Sequence, residues 1–256
     1  MRRLVGLAAA ALLVLASGCT GDDDDAAETT TSASAPESTS TTTTASSQSS
    51  STTTSIDQRC APRTRPEGVA ASEVTGDADG DGRSDTVVVY GTGSEASPAP
   101  WRIRVELASG GTIEADIPDA DAVAGAQALG TSPLAGPEGD VLFVKVGAGA
   151  SAAIVGVWLV RDCELVRLAG PGGSPSQFAV GGSVTHLAGL ACVEGRLIAL
   201  AATSADGSSY DTSETELIVQ GDALVVNGQP LTGTLAPDDP GLARYASIDC
   251  PNVASP

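Results

Sequence analysis

The chain has little of what most catalytic and nucleic-acid-binding proteins rely on. Its 256 residues include one histidine, His186, and one lysine, Lys145. Aromatic residues make up 3% of it, so stacking platforms for bases or sugars are scarce. Basic residues number 13 against 32 acids, a formal net charge of -19. That field repels phosphate backbones and anionic surfaces, which argues against nucleic acid as a partner. No segment carries sustained helical periodicity with caps. The Ala-rich stretch Asp119 to Leu129 alone could make a short helix, or a loop. A serine nucleophile would need His186, yet no Gly-x-Ser-x-Gly elbow exists, and Gly182-Ser183-Val184 is not one. Gly147-Ala148-Gly149 and Gly170-Pro171-Gly172-Gly173 lack the Lys-Ser/Thr and helix of a phosphate loop, so both read as turns.

What is present begins at the N-terminus. Arg2 and Arg3 precede an apolar and small run from Leu4 to Ala16, shorter than the roughly 20 residues of a membrane-spanning helix. A positive start, a short apolar run and small residues form the pattern of an export signal, here residues 1–18. Ala16-Ser17-Gly18-Cys19 resembles the bacterial lipobox, with Ala16 where Leu is preferred. The resemblance implies cleavage before Cys19 and a diacylglyceryl group on it. Such an anchor holds the chain stably on a membrane, because two acyl chains suffice where one does not. The arginine-dominated bases and the Ala and Gly load fit a GC-rich, actinobacterial-type source.

Residues 19–55 should be a disordered linker. Asp22 to Asp25 are four consecutive acids, and Thr29 to Ser55 is nearly all Ser and Thr, with almost nothing to bury. As a coil, the segment spans roughly 30–35 Å; drawn out, it reaches on the order of 120 Å. It reads as a stalk carrying a domain of residues 56–256.

That domain reads as all-β. Arg102 to Leu107 alternates polar and apolar with period two, and Thr86 to Tyr90 is a short β-branched run. Gly110-Gly111 turns the chain into Thr112 to Ile117. Further runs are Val141 to Val146, Ala153 to Val160, Glu164 to Leu168, His186 to Val193, Arg196 to Thr203, Thr215 to Gln220 and Ala223 to Val226. Glu194-Gly195 marks a tight hairpin. A faint repeat joins Val74–Gly93 to Leu129–Gly149, with Asp85 and Asp140 in matching places before their strands. Blade-like antiparallel sheets are expected, in a partial or small propeller-like array or, alternatively, a β-sandwich. With Cys19 lipidated, four cysteines remain, an even number suited to an oxidising compartment. Cys60–Cys250, tying the domain's ends, and Cys163–Cys192, on neighbouring predicted strands, are the favoured pairs. Zinc is disfavoured because no two cysteines lie in a close CxxC pair.

The sharpest motif is Asp77-Ala78-Asp79-Gly80-Asp81-Gly82-Arg83-Ser84-Asp85. Carboxylates fall at loop positions one, three, five and nine, with glycine at six. This spacing wraps oxygens around calcium, a hard cation taking six to eight of them. Asp77, Asp79, Asp81 and Asp85 are the candidate side-chain ligands, and Arg83 contributes its backbone carbonyl. An EF-hand is excluded: position twelve is Val88, not Glu, and flanking helices are missing. The segment is similar to the calcium loops of FG-GAP (VCBS-type, integrin-like) repeats, where DxDGDGxxD leads straight into a strand. The match covers Val74 to Tyr90. It implies blade-like four-stranded units and binding of proteins or sugars. Unneutralised, these aspartates would repel by roughly 1 kcal/mol per pair in water.

Together these features describe a membrane-anchored surface lipoprotein with a calcium-stabilised β domain. Its expected role is non-catalytic: binding an envelope protein or glycan, or serving envelope structure. The alternative is an envelope hydrolase using acidic residues or His186.

Overall fold

The computed structural model describes residues 60–256. The export signal, Cys19 and the Ser/Thr-rich segment lie outside the described residues. Two antiparallel sheets dominate. The first is a four-stranded meander of β1 (Val69–Gly76), β2 (Asp85–Gly91), β3 (Trp101–Glu106) and β4 (Thr112–Ile117). The second opens with the same layout: β5 (Gln127–Ser132), β6 (Val141–Ala148), β7 (Ala152–Arg161) and β8 (Glu164–Arg167). The repeat seen in the sequence is therefore two meanders. They touch along their first strands, where the Ser72 hydroxyl accepts from the Ala128 N–H at 2.8 Å.

The second sheet then continues instead of starting another separate blade. β9 (Phe178–Gly182), β10 (His186–Val193), β11 (Arg196–Thr203), β12 (Tyr210–Gln220) and β13 (Ala223–Val226) extend it in the order β5-β6-β7-β9-β10-β11-β12-β13. One edge of β7 pairs with β6; the other is divided between β9 (Ala152–Val155) and β8 (Trp158–Arg161). Ala169, just past β8, bridges Ala223 in β13, so the sheet curls back on itself. β14 (Leu231–Leu235) pairs with β12, and β15 (Ile248–Asp249) runs parallel to β10.

Side chains alternating along the strands build two main cores. Val87, Val89, Ile103, Val105, Ile113 and Ile117 of the first sheet pack on Leu142, Val144, Val146 and Trp158 of the second. The other face of β6 and β7, Val141, Phe143, Val155, Val157 and Leu159, packs inside the curl on Leu190, Leu197, Leu217 and Leu224. A strand buried on both faces needs apolar residues at every position, which is why Val141 to Val146 reads as an almost unbroken apolar run. Asp119 to Leu129 forms turns and then the start of β5, with no helix. Glu194 and Gly195 have φ of 50° and 75°, the doubly positive pair of a two-residue hairpin turn.

The disulfides correct the expected pairing. Cys60 joins Cys163 and Cys192 joins Cys250, with Cα separations of 5.2 and 4.6 Å. β8 and β9 share one edge of β7, and it is β9 that pairs with β10, so Cys163 is not beside Cys192. Cys163 lies in the β7–β8 turn, where β8 approaches β4 and reaches the Cys60 segment. Cys250 follows β15, whose register on β10 (Leu190 with Ile248, Ala191 with Asp249) carries it to Cys192. Two disulfides point to an extracytoplasmic protein.

Candidate functional site

The acidic loop connects β1 to β2. Gly80 and Gly82 take φ of 78° and 80°, which residues bearing a Cβ rarely adopt. Asp85 opens β2 at 1% exposure. Its Oδ2 accepts from the N–H groups of Ala78 (2.8 Å) and Asp79 (3.3 Å), and its Oδ1 from Ala108 (2.8 Å). Asp77 Oδ2 accepts from Gly82 at 3.0 Å and Asp79 Oδ1 from Asp81 at 3.2 Å. These bonds curl the loop so that Asp77, Asp79 and Asp85 each offer an oxygen, all within 4.8 Å of one another. Asp77 Oδ1 is buried without a hydrogen-bond partner.

Burial is the main cause raising the Asp79 pKa above its ordinary 3.8; the charges of Asp85, Asp81 and Asp77 add to it, and a hydrogen bond from the Asp81 N–H opposes. Three hard oxygen donors within 4.8 Å form a set that could hold a metal ion. Asp81 stands outside that triad. Its Oδ1 accepts from the Arg83 N–H at 2.8 Å, and its Oδ2 lies 3.8 Å from the Arg83 guanidinium. Arg83 also donates to the Ala108 carbonyl, so its side chain leaves the loop centre.

The second meander supports the loop from below. The Asp140 N–H donates to the Asp77 carbonyl at 2.7 Å, and Asp140 Oδ2 accepts from the Asp77 N–H at 3.3 Å and from the Thr131 hydroxyl at 3.0 Å. A Cβ on Gly139 would come within 2.4 Å of the Ala78 carbonyl. The matched aspartates of the repeat thus meet at one place, Asp85 holding the Ala78 and Asp79 N–H groups of the loop and Asp140 that of Asp77. Asp79 also lines a cleft of about 550 Å³ with Glu138, Arg161, Asp162 and the Cys60–Cys163 disulfide. The sequence signalled Asp140 through the repeat, but not Glu138 or Arg161.

His186 is exposed at the start of β10, its Nδ1 3.0 Å from the Thr185 hydroxyl, which lies 3.3 Å from that of Ser183. No carboxylate is hydrogen-bonded to it among the described residues. Trp101, Trp158, Phe143, Tyr90, Tyr210 and Tyr245 are buried in the cores, Tyr245 from a short 3-10 helix (Pro240–Ala246) and the others from strands, and Phe178 is half-buried. The Tyr90 phenol is pushed up to about 12 by burial, with the Glu114 carboxylate accepting from its hydroxyl.

No family model, no curated protein and no solved structure matches the chain.

Proposed function

We propose that the chain is a surface lipoprotein, anchored through Cys19, whose β domain is stapled by calcium in the 77–85 loop and serves a non-catalytic binding or envelope-structural role. The observation that carries the metal is the convergence of one oxygen each from Asp77, Asp79 and Asp85 within 4.8 Å, in a loop where Asp77 also keeps a buried, unpartnered Oδ1. A divalent ion supplies the charge that such a group lacks. The Arg83 carbonyl, Asp81 and water would complete the oxygen shell of a hard cation. The loop joins β1 to β2 of a four-stranded meander and runs directly into β2, which supports the likeness to FG-GAP calcium loops. The lipobox-like Ala16-Ser17-Gly18-Cys19 and the extracytoplasmic disulfides support the anchor.

Thermal unfolding of the full chain tests the metal. At a dissociation constant of about 0.1–1 mM, 10 mM calcium stabilises by about 1.4–2.7 kcal/mol. That raises the midpoint by roughly 3–10 °C. The variant carrying Asp77→Asn and Asp79→Asn should show no rise. A wild-type midpoint indifferent to calcium overturns the reading.

A further inference from the structure

A cleft of about 460 Å³ lies between the Pro62–Arg65 segment and the β3–β4 hairpin, on the outer side of the first sheet. Its lining includes Arg63, Arg65, Arg104, Glu106 and Thr112. Three guanidinium groups and one carboxylate line it, and Glu73 pairs with Arg65 and Glu114 with Arg104 from outside the lining. The group at its base is Arg104, whose side chain is 3% exposed. Its Nε donates to Glu106 at 2.8 Å, and its Nη2 to the Arg63 carbonyl and, at 3.4 Å, to the Thr112 hydroxyl. Its Nη1 is buried without a hydrogen-bond partner. The Glu114 carboxylate is 4.0 Å from Nη1, outside hydrogen-bond reach, and already accepts from the Tyr90 hydroxyl. Glu106 and Glu114 balance the Arg104 charge, but a buried N–H left without a hydrogen bond is destabilising.

We infer that this cleft is an oxyanion site that takes a phosphate or sulfate group. A guanidinium presents its N–H groups in a fork that matches such oxygens. Arg63 forms no ion pair among the described residues, and Arg65 pairs with Glu73 at 3.6 Å with both partners well exposed, so both can turn inward. Cations reach the cleft from two sides, the 62–65 segment and β3. That arrangement suits a tetrahedral anion with oxygens in several directions better than a planar carboxylate. A Cβ on Gly110 would meet nothing within 4 Å, which leaves the mouth open. The site is remote from the acidic loop in its chemistry and does not depend on the calcium reading.

The anion is either free in solution or carried on a sugar or polyol of an envelope polymer. Titration calorimetry distinguishes these, using the chelator-treated full chain at constant ionic strength. Inorganic phosphate, sulfate and glycerol 3-phosphate are the probes, with chloride as the control. Saturable binding is expected for all three. Tighter glycerol 3-phosphate assigns the carried group; tighter inorganic phosphate assigns the free ion. The exposed pair R63A/R65A should lose affinity about tenfold, as should R104K, which keeps the charge and loses the fork. R196A, whose partners are Glu194 and Glu216, should bind as wild type. No saturable heat beyond chloride, or undiminished affinity in R63A/R65A, overturns the site.

Discussion

Asp85 has two separable jobs within one carboxylate: it holds three backbone N–H groups and it offers charge to the loop. Asp85→Asn turns an amide donor toward N–H groups that need an acceptor. It should cost about 1–3 kcal/mol in chelator, and more in calcium, where a charged ligand of the loop is lost as well, read by urea unfolding. Asp119 makes a different point. Burial opposes its ionisation, but hydrogen bonds from Arg167 and Gln177 and the Arg167 charge outweigh it and lower its pKa below the ordinary 3.8. Arg167 in turn lies over the Trp158 ring, 4.7 Å from its centroid. A carboxylate with a depressed folded pKa contributes stability that is fully present above the unfolded value and lost as pH falls through the folded one. Stability should therefore drop below about pH 3.8 with a component that Asp119→Asn removes, measured as urea midpoints against pH in the two proteins. Asp85 is held largely by its own loop, Asp119 by partners 48 and 58 residues away. The sequence marked Asp85 by its spacing and had no means of marking Asp119.

At the scale of elements, the readable strands were those with β-branched or alternating character. The runs 112–117, 186–193, 196–203 and 223–226 coincide with β4, β10, β11 and β13. β1 (VAASEVTG), β5 (QALGTS), β9 (FAVGG) and β14 (LTGTL) went unread because they are small, polar or glycine-bearing. They are strands because a neighbour pairs with them: Gln127 of β5 faces Lys145 of β6, and Leu231 of β14 faces Glu214 of β12. β6 is the central element, since its alternate side chains enter both main cores. Phe143, fully buried on the inner side, has no room to lose volume. Phe143→Ala should destabilise by about 3–5 kcal/mol, seen as a lowered denaturant midpoint with an unchanged slope.

At the scale of the molecule, the two disulfides close long stretches of chain, with sequence separations of 103 and 58. Replacing Cys192 and Cys250 together by serine should cost roughly 2–5 kcal/mol. Non-reducing peptide mapping should recover Cys60 with Cys163 and Cys192 with Cys250. The amino-acid sequence by itself determined the all-β class and the aspartate spacing, because each is a local pattern of side-chain type along a few residues. It did not determine which cysteines meet, that Asp140 underpins the loop of Asp77, or that Arg63, Arg65 and Arg104 share one cleft. Those depend on which strands lie side by side, and strand pairing is a non-local choice made by the cores: the register of β15 on β10 is what carries Cys250 to Cys192.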